Sequence, residues 1–371
     1  MQVLQEFLNE NLKTGQIRPS TLLYASPFSF AMKKDGKLQL VQDYRWLNAI
    51  TVLNKTLLLL IKEVIDQLHG AKIFSKMDVQ WGFNNIRIKE GDEEKATFMT
   101  SEGLFEPTVM FFGLMNSLAT FQTMMNAILR LVIVEGKVQV YMDDILVYTL
   151  TVEEHRELVR QVLQILKENK LFLKPEKCKF KKEQVNYLGV IISTKRVSVD
   201  PGKVEAIKTW PTPKKLVEVQ EFIGFLNFYQ RFIEGFLQVA RPLHNLMKKD
   251  AKFLWDNKCQ ATFDELKEQI TSAPVLSMAW DEGLMKIEVD ACQYVVRGIL
   301  SQEQEGIFRP IAYYSKLLNN TKRNYDIHDR ELLAIMKMLK EWRHYVIGKL
   351  VKIWTDHKNL EYFMVKRDLN Q

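Results

Sequence analysis

Apolar residues at Val3, Leu4, Phe7, Leu8 and Leu12 recur at helical spacing and predict an amphipathic helix that stops near Gly15. Two apolar runs, Phe28 to Met32 and Leu38 to Val41, flank Lys34-Asp35-Gly36-Lys37, and an Asp-Gly pair between such runs signals a hairpin because its residues tolerate positive φ. Ile61, Val64, Ile65 and Leu68 mark a helix ending at Gly70, and Ile73 to Met77 reads as a strand with Asp78 at its end. Ser117 to Leu131 reads as one helix. Val138 to Met142 and Ile145 to Tyr148 then form a second hairpin with Asp143 and Asp144 at its tip. Thr151 and Glu154 supply a capping box for a helix through Leu166, and Asp200-Pro201 caps and opens another. Val219 to Phe232 continues helical through aromatic residues. From Lys286 the pattern changes: strands at Lys286 to Asp290, Gly298 to Ser301 and Pro310 to Tyr314, a helix from Asp329 to Tyr345, and a strand from Leu350 to Trp354 suggest a separate α/β unit.

Composition narrows the class. The 371 residues are 47% hydrophobic and 26% charged, enough for two or three globular domains with true cores. A net charge of +7 suits a polyanionic partner, because basic side chains gain affinity by releasing phosphate counterions. Cys178, Cys259 and Cys292 form no CxxC pair, which argues against a disulfide framework or structural zinc and for a reducing intracellular compartment. No signal peptide opens the chain, and the aliphatic run Leu57 to Ile61 is too short to span a membrane.

The chemistry lies in the aspartates. Nucleotidyl transfer needs an attacking hydroxyl, a triphosphate held in line and cations that neutralise charge on both oxygens; two Mg²⁺ ions about 4 Å apart do this, held by carboxylates on rigid strand ends. Asp78 ends one strand and Asp143-Asp144 sit at a hairpin tip, where two adjacent like charges repel unless a cation lies between them. Asp143-Asp144 alone would read as a solvated turn.

The wider pattern identifies more. Tyr141-Met142-Asp143-Asp144 resembles the Tyr-X-Asp-Asp hairpin of reverse transcriptases. Tyr24-Ala25-Ser26-Pro27-Phe28, Lys33 to Leu38, Val41 to Arg45, Ala71 to Val79, Leu104 to Leu114, Ala119 to Gln122, Leu171 to Leu173, Pro175 to Cys178, Tyr187-Leu188-Gly189 and Phe222 to Tyr229 resemble, in order, segments of the enzymes of gypsy-type (Metaviridae-like) long-terminal-repeat retrotransposons. The resemblance implies an α+β right-hand polymerase followed by a partial ribonuclease H-like α/β domain: fingers and palm in 1–195, thumb and connection in 196–280, and a C-terminally truncated ribonuclease H-like domain in 281–371. It implies RNA-directed DNA synthesis by two-metal chemistry with Mg²⁺, or Mn²⁺ in its place. The implied partners are an RNA template, a DNA primer and template, an RNA–DNA hybrid and deoxynucleoside triphosphates, in a cytoplasmic particle or the nucleus.

Roles carry over by position. Asp78 and Asp143 are the implied metal ligands, with Asp144 a weaker third carboxylate and the Val79 carbonyl an extra ligand. Phe83 matches the aromatic gate against a ribose 2′-hydroxyl, and Phe112 is a further implied nucleotide-binding residue. Arg45 and Lys33 or Lys34 match a basic fingers face. Asp290, Glu331 and Asp356 match three of the four carboxylates of a ribonuclease H site. The fourth is expected beyond Gln371, which predicts no hybrid cleavage and a partly bare apolar face around Leu300 and Ile311. Departures are equally specific. Gln39 and Gln80 stand where the family has arginine, and Leu40, Leu57, Leu59 and Leu118 where it tends to have proline, which reads as a decaying genomic copy. Gln cannot supply the guanidinium's charge or fork. The runner-up is therefore a catalytically weak remnant that only binds nucleic acid; an RNA-dependent RNA polymerase is disfavoured, since it needs neither Phe83 nor the ribonuclease H-like segment.

Overall fold

A computed structural model describes residues 2–22, 24–32, 36, 38–56, 61–68, 70–249, 251–273 and 275–356. The chain divides into two compact units, residues 1–60 with 73–182, and residues 61–72 with 183–371.

The first unit holds two sheets. One orders its strands Ile17–Pro19, Gly103–Pro107, Phe98–Thr100, Ser26–Met32 and Leu38–Gln42. The helix Gln2–Thr14 buries Leu4 and Leu8 against Ile17, Phe98 and Phe105, as its apolar spacing predicts. The strands of the expected Asp-Gly hairpin pair from Phe28↔Gln42 to Met32↔Leu38, while Lys33, Lys34, Asp35 and Lys37 lie outside the described residues, as do Leu57 and Leu59. The other sheet orders Val138–Tyr141, Asp144–Thr149, Ile73–Asp78 and Lys179–Lys182. Its core of Met77, Val79, Val140, Ile145 and Val147 is shared with Phe121 and Met125 of the helix Ser117–Ile128 and Leu158 and Val162 of the helix Val152–Glu168. Thr151 caps the latter, its hydroxyl accepting from the Glu154 N–H. The single helix expected over Ser117 to Leu131 instead breaks at Leu129, whose backbone turns to φ −97° and ψ 10°, and resumes as Arg130–Val134. Leu129 and Val132, at 0% and 3% exposure, both lie in the core, where their i, i+3 spacing keeps them on the buried face with Phe121 and Met125.

The second unit also holds two sheets. Gln184–Tyr187, Val190–Ser193, Arg196–Val199 and Leu276–Ser277 form an antiparallel sheet. Helices Pro201–Lys208, Leu216–Phe228 and Asn257–Thr271 belong to the same unit, and rings of Trp210, Phe222 and Phe263 pack edge to face or tilted between them. The last sheet orders Ile307–Leu317, Val295–Gln304, Met285–Ala291 and Val351–Trp354, the final pair parallel. Helix Ile327–Glu341 covers one face with Ala334 and Met338, close enough that a Cβ on Gly298 would stand 2.7 Å from the Met338 sulfur. Leu300 and Ile311, expected partly bare, are 0% and 1% exposed. They share a cluster with Met338 and Trp342 of the helical layer, which closes over that face.

A buried ion cluster ties this unit together. Asp66, on the helix Ile61–Gln67, meets the Arg231 guanidinium at 3.1 Å and the His344 imidazole at 2.9 Å, and accepts a hydrogen bond from Tyr345. Burial pushes the Asp66 carboxyl up, but His344, the Arg231 charge and Tyr345 together hold it below the usual range.

A second buried polar chain crosses the first unit. His155 is fully buried, with Nε2 2.6 Å from the Ser75 hydroxyl and Nδ1 2.9 Å from that of Thr149. Thr149 donates onward to the Thr151 carbonyl, so it accepts from Nδ1–H, and Nε2 is left to accept from Ser75. The neutral ring is thereby satisfied, and burial followed by the Lys181 charge lowers its pKa. A depressed histidine pKa stabilises the fold above its unfolded value of about 6.5 and loses that contribution as pH falls toward the folded value. The denaturation midpoint of the first unit should therefore drop between pH 7 and pH 5. His155→Gln should be less stable at pH 7 and show a flatter slope over that window; an equal slope in both proteins would assign the acid sensitivity elsewhere.

Candidate active site

Strand register builds the site. In the ladder of Ile73–Asp78 against Asp144–Thr149, Asp78 pairs directly with Asp144, and Tyr141 pairs with Asp144 across the hairpin. Met142 and Asp143 therefore form a two-residue turn, and the Asp143 carbonyl accepts from the Val79 N–H at 2.8 Å. Three carboxylates thus converge at one end of a sheet buried on its helical side. Asp78 is 7% exposed, an environment a carboxylate tolerates only with cations or donors beside it.

Lysines supply that charge. Lys174 Nζ lies 2.8 Å from Asp78 Oδ1 and 3.4 Å from the Val79 carbonyl oxygen. Lys177 Nζ stands 3.7 Å from Asp78 Oδ2, and Lys76 Nζ 2.9 Å from Asp144 Oδ1. Burial raises the Asp144 pKa; the Lys76 hydrogen bond opposes it, and the Asp143 and Asp78 charges add to it. Carboxylate and carbonyl oxygens that already converge on one cation are the hard donor set Mg²⁺ takes, so the residues present fit the metal.

The turn itself is strained and held. Met142 adopts φ 55°, a left-handed conformation that costs a non-glycine residue about 1 kcal/mol or more. Gln122, 2% exposed on Ser117–Ile128, accepts from the Met142 N–H at 2.7 Å and donates to the Val140 carbonyl at 2.9 Å. Sequence reading found Gln122 only as part of a motif, because no pattern shows that a helical glutamine reaches a turn 20 residues on.

Phe83 lies in the short Gly82–Asn85 helical turn, its ring 5.2 Å from that of Phe112 and 5.7 Å from that of Phe121. Phe121 is fully buried and Phe112 is half-exposed, so Phe83 is wedged against the core with one side toward solvent. Asn48 and Asn116 fix the neighbouring loop, Asn48 bridging Gly113 and Met115 and Asn116 bridging Val52 and Asn54. Arg45, expected on a basic face, is highly exposed and paired with Asp43 at 2.6 Å. Gln80 keeps the chain in place, its N–H donating to the Phe172 carbonyl at 2.7 Å; the Gln39 side chain lies outside what is described.

The second unit carries the other predicted carboxylates. Asp290 Oδ2 accepts from Arg297 Nε at 2.5 Å, Glu331 accepts from the Ala291 N–H at 2.9 Å and the Thr355 hydroxyl at 3.0 Å, and Asp356 is exposed next in sequence. Burial raises the Glu331 pKa; the Thr355 and Ala291 hydrogen bonds oppose this, and the Asp356 and Asp290 charges reinforce it, so the three acids share one electrostatic neighbourhood.

Comparison with known proteins gives the same picture. Residues 31–192 match the family described as reverse transcriptase (RNA-dependent DNA polymerase), and residues 255–353 match the RNase H-like domain found in reverse transcriptase. The transposon Tf2-3 and Tf2-7 polyproteins of Schizosaccharomyces pombe are each 36% identical to it over 363 residues, 97% of this chain but 27% of each polyprotein. The chain therefore spans about a quarter of the length of those relatives. A foamy viral protease-reverse transcriptase in complex with double-stranded DNA has a TM-score of 0.80 at 23% identity, over 98% of this chain and 64% of that one. A foamy viral protease-reverse transcriptase in complex with an RNA/DNA hybrid gives 0.74 at 22%, over 100% of this chain and 50% of that one. These likenesses fix the fold as that of a reverse transcriptase.

Gln122→Leu would keep the helix and its packing but leave the Met142 N–H and the Val140 carbonyl without their partner. The expected cost is about 1–3 kcal/mol in unfolding free energy. A wild-type melting temperature in Gln122→Leu would mean that the turn holds its shape without the glutamine.

Proposed function

Because this chain belongs to the reverse transcriptases of gypsy-type long-terminal-repeat retrotransposons, we propose that it carries out RNA-directed DNA synthesis at the Asp78, Asp143 and Asp144 cluster. The observation that carries this reading is the register of Asp78 opposite Asp144, which puts the tip aspartates beside the first. The substrates are a primed RNA or DNA template and deoxynucleoside triphosphates; the nucleic-acid complexes of the foamy viral enzymes support the first of these. The domain limits that accompany the proposal are fingers and palm in 1–195, thumb and connection in 196–280 and the RNase H-like domain in 281–371.

Bound Mg²⁺, or Mn²⁺ in its place, would supply Lewis acidity toward the primer hydroxyl and the triphosphate oxygens. Asp78, Asp143 and the Val79 carbonyl would hold it, with Asp144 the third carboxylate. The rest falls to the chain. The Gln122 hydrogen bonds hold the hairpin tip, so the carboxylates need little reorganisation as charge develops. The primer 3′-oxygen then attacks the α-phosphorus in line, the new phosphodiester bond forms and pyrophosphate leaves. Phe83, wedged between Phe112 and Phe121, forms the rigid wall against which the sugar packs, and a 2′-hydroxyl would collide with it.

Two substitutions test the assignment. Asp143→Asn removes a ligand charge at no cost in volume and should abolish primer extension on an RNA template, a loss of several kcal/mol of transition-state stabilisation, while the circular dichroism spectrum and melting temperature stay near wild type. Extension at the wild-type rate by folded Asp143→Asn would move the chemistry to another site. Phe83→Val should raise the ratio of ribo- to deoxynucleotide incorporation by tenfold or more, about 1.4 kcal/mol of lost discrimination. An unchanged ratio would leave Phe83 a packing residue.

A further inference from the structure

Lys174 is the strongest feature of the site that the proposed chemistry does not use. Its position is set by backbone. Leu173 bridges Val79 in antiparallel fashion, the Gln80 N–H donates to the Phe172 carbonyl at 2.7 Å, and the Lys174 N–H donates to the Asp78 carbonyl at 2.9 Å. The segment 172–174 thus runs as a short strand beside 78–80. The side chain then delivers its ammonium to Asp78 Oδ1 and the Val79 carbonyl oxygen together, the two atoms from this strand that a divalent ion would take. Its companion Lys177 lies farther out, at 3.7 Å on the other carboxylate oxygen, and is 58% exposed where Lys174 is 27% exposed.

Resting on the reading of this cluster as a metal site, we propose that Lys174 is a resident cation of the site, whose ammonium holds the Asp78–Val79 position in the metal-free protein and is exchanged for the divalent ion on loading. Two facts require some cation there. Asp78 is nearly buried, and an unpaired buried carboxylate is costly. Asp143 and Asp144 bring like charge to the same strand end, so the triad repels itself without compensation. A lysine is suited to the exchange. Its ammonium is a compact charge on a flexible stem, able to swing away while the backbone stays paired. An arginine would instead be expected to pair with Asp78 in two prongs and leave less readily. Lys174 is a positioning residue in this scheme: it preserves the ligand geometry before loading and sets how strongly the metal must compete to enter.

The test measures binding of Mn²⁺ alone to the full chain by electron paramagnetic resonance, alongside melting temperature in EDTA and in saturating Mn²⁺. The site is defined as the Mn²⁺ lost in Asp143→Asn. At that site Lys174→Met should bind Mn²⁺ about tenfold more tightly than wild type, because the competing cation is gone. The same variant should melt lower than wild type in EDTA and match it when Mn²⁺ is saturating. Lys174→Arg should restore the melting temperature in EDTA and bind Mn²⁺ no more tightly than wild type. A lysine that merely packs would weaken metal binding or leave it unchanged when removed. Unchanged or weaker Mn²⁺ binding by Lys174→Met, at a site that Asp143→Asn abolishes, overturns the proposal and spares the metal-site reading. An Mn²⁺ stoichiometry unaffected by Asp143→Asn overturns that reading and the proposal with it.

Discussion

The pairing of Ile73–Asp78 with Asp144–Thr149 is the constraint on which the site depends. Side chains alternate across a strand, so a slip of one residue would send Met77, Ile145 and Val147 to the wrong face and turn the aspartates away from each other. The apolar residues prevent the slip. Met77, Ile145 and Val147 are fully buried beneath Phe121 and Val162, and a shifted register would turn the face that carries Lys76 and Asp78 into that core. Hydrophobic burial thus fixes the position of charges that have no affinity for one another.

That division of labour has an electrostatic consequence. Three aspartates brought to one strand end make a charged pocket that the core alone would disfavour. Compensation comes from outside the two aspartate-bearing strands as well as within them: Lys76 precedes Asp78 by two residues on the same strand, and Lys174 and Lys177 arrive from the segment after the long helix Val152–Glu168. The sheet contributes rigidity and the returning segment contributes charge carried on long lysine stems. Flexible ammonium groups can rearrange while the carboxylate framework stays put.

Most elements were legible in the sequence where the physics is local. The Thr151 cap, the Asp200-Pro201 start, the helix at Gln2–Thr14 and the strands around Asp78 and Asp144 follow from periodicity and capping chemistry that neighbouring residues dictate. What stayed hidden depends on contacts made far along the chain. Nothing near Leu129 announces the helix break. His155 looks like a surface residue near a helix start, yet Ser75, 80 residues earlier, meets its ring. Asp66 reads as the polar side of an amphipathic helix, while its partners Arg231 and Tyr345 lie 165 and 279 residues away. The three aspartates were recognisable by resemblance, but their lysine partners were not, because an ion pair leaves no periodic trace.

The two acidic clusters in the chain show how register decides what a carboxylate can do. Asp78 faces another acid across its ladder, and its cations come from a separate segment on flexible stems. Asp290 faces Arg297 across its own ladder, in the register Asp290↔Arg297, and the guanidinium closes on it at 2.5 Å. Directly opposed residues of an antiparallel pair share one face of the sheet, so this contact is built into the strand pairing and needs no loop to supply it. Arginine remains charged at any pH the protein survives, and its planar donors match a carboxylate. Glu331 adds to the contrast: both its oxygens are engaged, by the Ala291 N–H and the Thr355 hydroxyl, and burial favours its protonated form. The first cluster therefore sets its negative charge against lysines that come largely from a separate segment, whereas in the second Asp290 is paired within the sheet itself. The same residue type at a strand end thus meets a different charge environment according to what stands across from it.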